Sequence, residues 1–359
     1  MEDALHCTCD TWNKPLDNLE PSRGTRLESL VSQALKTYPT EVIYSFLEDP
    51  FAIVRGKAVE ELESRGEQLT AEHLLAMGFS PPRETDLELD EDDLYSLGSE
   101  LWLLVFQALR SLDTQALYPL LEDDAVLVRW KTIGALRIRG EIDTFERAQA
   151  MCHDPRDKMR EIGVQILCQL GPPDSPLRAQ SVPLLLELLV KDQSPSVRAA
   201  AATGFGFLEA FEQARNALVA AAKDGSAEVR EAVAFGLGCD EDPLATTTLI
   251  ELMEDGDEDA RKCATWCIGT LREHDSTAIR EALLRRLTDS NEEVRFEAFA
   301  GMAVRKDERI LAQLIHDLET APARSTLWES ALLMLGRNRE EPEPALGEVL
   351  NELKQLLIG

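Results

Sequence analysis

The sequence contains five histidines, His6, His73, His153, His274 and His316, and none of them is followed by a glutamate or lies in an H-E-x-x-H. A helical zinc site needs two His one turn apart with a carboxylate beside them. That chemistry is not written here. The stretch "HCTC" groups His6, Cys7 and Cys9, which offers three donors at most and follows no standard zinc spacing. Cys263 and Cys267 share one helix face at i, i+4 and read as small apolar side chains packed together. There is no G-x-S-x-G, and no Ser or Cys has a recognisable base beside it. "GFGFLE" and "GLGCDE" lack the third glycine of a nucleotide loop and fall in helical stretches. Carboxylates abound, yet no spacing selects an acid–base pair. The expectation is no catalytic residue, no metal ligand set and no cofactor.

What the side chains do offer is charge. Lys and Arg total 37 against 66 Asp and Glu, a formal net charge of −29. That excess repels phosphate backbones and anionic membranes and draws basic partners from a distance. The seven cysteines follow no framework of close spacings, which points to reduced thiols in a cytoplasm. The opening "MEDALHCTCD" is acidic and has no apolar signal core. "LWLLVFQAL" (101–109), the longest apolar stretch, is too short to span a bilayer. These features predict a soluble, cytoplasmic chain with no membrane contact.

The elements that position these residues repeat. An Asp six residues before an Arg, with an apolar residue or Ala just ahead of that Arg, occurs seven times: "DPFAIVR" (49–55), "DDAVLVR" (123–129), "DPRDKMR" (154–160), "DQSPSVR" (192–198), "DGSAEVR" (224–230), "DGDEDAR" (255–261) and "DSNEEVR" (289–295). From Arg129 onward the Arg-to-Arg spacings are 31, 38, 32, 31 and 34. Arg55 lies 74 residues before Arg129, room for two units of which one is degenerate. A period of this size, built from two helices, is the signature of an α-solenoid.

Each unit reads alike. Upstream of the Asp lies an amphipathic helix such as "SVPLLLELLVK" (181–191) or "DPLATTTLIELME" (242–254). Ser194, Ser226, Asp257 and Asn291 stand four residues before their Arg, where a side-chain oxygen can accept from the first N–H groups of the next helix. Pro195 suits the first helical position. The second helix is rich in Ala and Gly, and Gly204, Gly236 and Gly301 each fall six after the Arg. Glycine costs about 1 kcal/mol inside a helix, so its recurrence at one register predicts close helix-to-helix approach. Gly66, Gly140 and Gly171, eleven after their Arg, read as C-terminal stops.

This pattern resembles the HEAT repeat, in the variety named after phycobilisome lyases, over about residues 41–336 with one gap. The resemblance implies an all-α fold, a right-handed α-solenoid of about eight helix pairs with a capping C-terminal helix. It also implies that the Asp and Arg residues tie neighbouring repeats together, which makes Asp192, Arg198, Asp224, Arg230, Asp255, Arg261, Asp289 and Arg295 scaffold. In such solenoids the second helices line the concave side. The positions just after the Arg and about five further on then form a candidate partner-binding face: Trp130, Lys131, Glu161, Gln165, Glu231, Phe235, Lys262, Trp266, Phe296 and Glu297, with Trp328 and Glu329 if the last helix keeps register. HEAT-type hydroxylases hold iron with His-Glu pairs, which this chain lacks. HEAT-like DNA glycosylases use a basic groove, which the charge balance disfavours. A bilin lyase or chromophore-chaperone activity is the enzymatic alternative.

Two regions depart from the period. Residues 78–99, "GFSPPRETDLELDEDDLYSLGS", carry seven acids after Arg83 and no base, Asp90, Glu91, Asp92 and Asp93 among them. The run reads as a solvated loop or as an acidic arm for a basic partner. Residues 1–26 are polar and weakly patterned, a disordered or capping segment. The expected organisation is therefore 1–26, a first repeat region at 27–77, the acidic loop at 78–99, a repeat array at 100–341 and a capping helix at 342–359. The expected function is a non-catalytic scaffold or adaptor that grips a basic protein partner, with an inhibitor or immunity protein as one concrete form.

Overall fold

The computed structural model describes residues 25–49, 52–67, 101–123, 126–208, 210–271, 274–320, 325–337 and 344–358. The acidic run with Asp90, Glu91, Asp92 and Asp93, and the His6, Cys7, Cys9 group, lie outside the described residues. Among the described residues every regular element is a helix. In chain order these are α1 (Thr25–Leu35), α2 (Thr40–Ile43), α3 (Ala52–Ser64), α4 (Leu101–Ser111), α5 (Thr114–Leu117), α6 (Val126–Arg139), α7 (Ile142–Met151), α8 (Asp157–Leu167), α9 (Pro176–Lys191) and α10 (Pro195–Leu208). Then follow α11 (Phe211–Ala221), α12 (Ala227–Leu237), α13 (Pro243–Leu252), α14 (Glu258–Trp266), α15 (Thr277–Arg286), α16 (Glu292–Val304), α17 (Leu311–Thr320), α18 (Ser325–Leu335) and α19 (Leu346–Ile358). No described helix is long and apolar enough to cross a membrane.

The chain divides into two compact units. One is built from Asp154–Val164 together with the described residues from Ala179 onward, and the other from the described residues up to His153 with Gln165–Arg178. In the first unit the second helices of successive pairs, α10, α12, α14, α16 and α18, stack one on the next. Each of α11, α13, α15 and α17 packs against the second helix of its own pair, and α19 lies on α17 and α18. In the second unit α1 packs on α3 and α4, and α4 on α6.

The two helix types differ in sequence because they differ in burial. α17 buries Leu311, Leu314, Ile315 and Leu318, the i, i+3, i+4, i+7 stripe of a helix with one covered face. α13 does the same with Ala245, Thr248, Leu249 and Leu252. A second helix has neighbours on several sides: α10 buries Val197 and the whole run Ala199–Phe205. The alanines at 199–202 and Gly204 allow that crowding around the fully buried Phe205. A methyl placed on Gly236 would lie 2.4 Å from the Ala202 carbonyl oxygen, and one on Gly301 would lie 2.5 Å from the Gly269 Cα. Between these contacts sit larger groups such as Val229, Val233 and Leu237, each contributing about 1.5–3 kcal/mol by burial.

Gly66, Gly140 and Gly171 hold φ of 82°, 62° and 72°, and Gly336 joins them at 71°. All four adopt the left-handed conformation open at low cost only to glycine, and Gly66, Gly140 and Gly336 end their helices with it. Gly171 lies four residues beyond α8, where its N–H donates to the Arg137 carbonyl at 2.8 Å, so it is not the helix stop that its spacing predicts. The caps divide. Asp257 accepts from the Asp259 and Ala260 N–H groups, and Asn291 from those of Glu293 and Val294. Ser226 occupies the cap position without a side-chain cap bond, and the Ser194 hydroxyl pairs instead with that of Ser196 at 3.0 Å. In all four turns the repeat Asp carboxylate accepts the N–H of the residue at the cap position, Ser194 and Ser226 at 2.9 Å, Asp257 at 2.8 Å and Asn291 at 2.9 Å, and so fixes the turn whether or not a side-chain cap is added.

Candidate protein-interaction face

The face is positioned by the joints between pairs. In all seven copies of the motif the Arg donates to the backbone carbonyl of its own Asp, Arg55 to Asp49 and Arg129 to Asp123 in the second unit, and Arg160, Arg198, Arg230, Arg261 and Arg295 to Asp154, Asp192, Asp224, Asp255 and Asp289 in the first. Four of them reach onward with the rest of the guanidinium. Arg160 forks onto the Asp192 carboxylate at 2.7 and 2.9 Å, Arg198 onto Asp224 at 2.8 and 2.9 Å, Arg230 onto Asp255 at 2.7 and 2.8 Å, and Arg261 onto Asp289 at 3.0 and 3.0 Å. Each Asp thus holds its own turn through one N–H and receives the Arg of the preceding pair. Bidentate geometry of this kind suits Arg and no other side chain.

These contacts hold all four carboxylates below their ordinary range. At Asp224 and Asp255 the Arg hydrogen bonds dominate. At Asp192 and Asp289 burial pushes upward and is outweighed by the Arg, by the N–H two residues on and by nearby positive charge. The series stops at Arg295, whose guanidinium donates to the Asp289 and Ser290 carbonyls.

A second set of arginines closes the other end of the pairs. Arg65, Arg139 and Arg305 each stand ten residues after a motif Arg. Arg65 donates to the carbonyls of Tyr38 at 2.8 Å and Lys36 at 3.3 Å. Arg139 donates to those of Leu112 at 2.7 Å and Arg110 at 3.3 Å. Arg305 is buried and donates to four carbonyls, those of Gly269 at 2.6 Å, Ile268 at 2.7 Å, Gly301 at 2.9 Å and His274 at 3.0 Å. The first two of these belong to a π-helical turn, Cys267–Leu271, that continues α14. Carbonyls freed at a helix end are satisfied best by a cation. The signal was present in the sequence as V-R followed ten residues later by R, but in three copies only.

With the helices so placed, the candidate residues take their positions. In the first unit Glu161, Phe235, Lys262, Trp266, Phe296, Glu297 and Trp328 are half-buried, and Glu329 is exposed. In the second unit Trp130, Lys131 and Gln165 are half-buried. Glu231 differs: at 3% exposure it is turned into the helix stack and offers no carboxylate at a surface. Phe235 is seated on Gly206, where a methyl would come within 2.7 Å of the ring, and lies 5.2 Å from the Phe207 ring. Lys262 is bound to Glu293 at 2.6 Å across α14 and α16, with the carboxylate side 61% exposed.

Two residues outside the sequence reading belong with this face, Glu228 and Ser196. Burial pushes the Glu161 carboxyl up to about 7, the Glu228 charge and then that of Asp157 add to the rise, and the Ser196 hydroxyl and Lys158 work against it. Carboxyls from α8 and α12 therefore share one electrostatic environment. Among the described residues no three His, Cys, Asp or Glu side chains are grouped so as to hold a metal ion.

Comparison with known proteins places the repeat. The family model for HEAT repeats matches residues 146–238, 182–262, 215–279 and 246–336, together 146–336, more than half of the 359 residues. Protein YibA of Escherichia coli, in strains K12 and O157:H7, is 29% identical over 238 residues, covering 63% of this chain and 82% of YibA. The X-ray structure of Escherichia coli YibA superposes with a TM-score of 0.57 at 24% identity, over 78% of this chain and 99% of that one. The complex of CpcE and CpcF of phycocyanin lyase from Nostoc sp. PCC7120 is similar at a TM-score of 0.40 and 17% identity, over 69% of this chain and 95% of that one. At those values the first structural likeness speaks for the fold alone and the second adds no argument.

Proposed function

The chain belongs to the HEAT-repeat family, and from that premise we propose that it is a non-catalytic scaffold whose second-helix face grips a basic protein partner. The observation that carries this reading is the presence, one to five residues after the motif Arg on several second helices of the first unit, of half-buried aromatic rings (Phe235, Trp266, Phe296) and carboxylates (Glu161, Glu297), in a chain of net charge −29. Aromatic side chains held by their neighbours supply contact area at little entropic cost, and the carboxylates select the partner's sign and speed its approach. The finer form, a nuclease, toxin or nucleic-acid-binding factor held inactive, rests on charge alone.

The test is capture of partners from native lysate by the tagged full-length chain, at about 50 and about 300 mM salt, where screening differs severalfold. The companion bait is the triple variant Glu161→Gln, Glu228→Gln and Glu297→Gln, checked for an unchanged helical melt. One stoichiometric basic protein, held at low salt and lost with either salt or the neutralised face, is the expected result. A partner retained in full by the variant, an acidic partner, or no partner overturns the reading. Assaying the captured protein with and without the chain then decides the inhibitor form.

A further inference from the structure

We draw no further inference here: the strongest candidate, the carboxylate cluster of Asp157, Glu161 and Glu228 where α8 and α12 meet the second-helix face, is an acidic cluster with no second feature beside it that points to a ligand, and its only service is to the face already described.

Discussion

At Gly236 the place of a side chain is already taken. A methyl there would lie 2.4 Å from the Ala202 carbonyl oxygen and 3.2 Å from a Leu218 methyl, and the first of these is helix backbone that has nowhere to turn. Gly236→Ala is expected to cost about 1–3 kcal/mol, the usual size of overpacking, read from urea denaturation. Gly225→Ala is the control, since nothing lies within 4 Å of its methyl, and it should stay within about 0.5 kcal/mol of the parent. Equal effects would mean that the helices part freely at Gly236. Glu161 gives a second prediction. Its folded carboxyl titrates at about 7 against an ordinary value of 4.5, so the folded chain binds this proton more tightly than the unfolded one. Stability from this group is fully present below about pH 4.5 and is lost as pH rises through 7. Relative to Glu161→Gln, the parent should lose up to about 3 kcal/mol between pH 5 and 8. A stability difference that does not change with pH would place Glu161 in contact with more water than the structure gives it.

Between elements, the Arg–Asp joints are where the repeat holds together. The Arg230–Asp255 pair is expected to show a coupling of about 1–3 kcal/mol in a double-mutant cycle with Ala at both positions. The guanidinium and carboxylate are only 19% and 11% exposed, so the coupling should survive salt that abolishes surface pairs. A coupling near zero would reduce the joint to its carbonyl bond. That motif was legible in the sequence because a six-residue offset is local and survives in seven copies. So were the helix-ending glycines at 66 and 140, eleven residues after their Arg, whereas Gly171 at the same offset lies four residues past the end of α8. Ser194 and Ser226 were read as caps by position alone, and position does not fix where a hydroxyl points: that of Ser194 pairs with the Ser196 hydroxyl. Glu231 was placed on the surface by register, but its facing depends on how α12 rotates against α10 and α14, which no local pattern encodes. The Arg65, Arg139 and Arg305 caps went unread for a different reason. Apart from the Gly301 carbonyl, their acceptors are carbonyls at the end of an element some thirty residues earlier, and carbonyls leave no mark in the sequence.

For the molecule entire, a charge of −29 sets like against like over the whole surface, and folding concentrates it. Added salt screens that repulsion far more than it weakens the half-buried joints. The melting temperature should therefore rise between about 20 mM and about 500 mM salt, as followed by circular dichroism, whereas a fall would mean that exposed ion pairs dominate stability. Acid acts oppositely on the joints. Asp192, Asp224, Asp255 and Asp289 are depressed below 3.8, so their contribution is complete above that value and disappears as pH falls through the lower folded values. The joints also have a direction. From Arg160 to Asp289 each motif Arg points to the Asp of the pair that follows, so along this run each pair arrives with a plug for its successor and a socket for its predecessor. Within this run a gene can thus gain or lose one whole repeat by duplication or deletion and leave the remaining plugs facing matching sockets, with no compensating change at the joints.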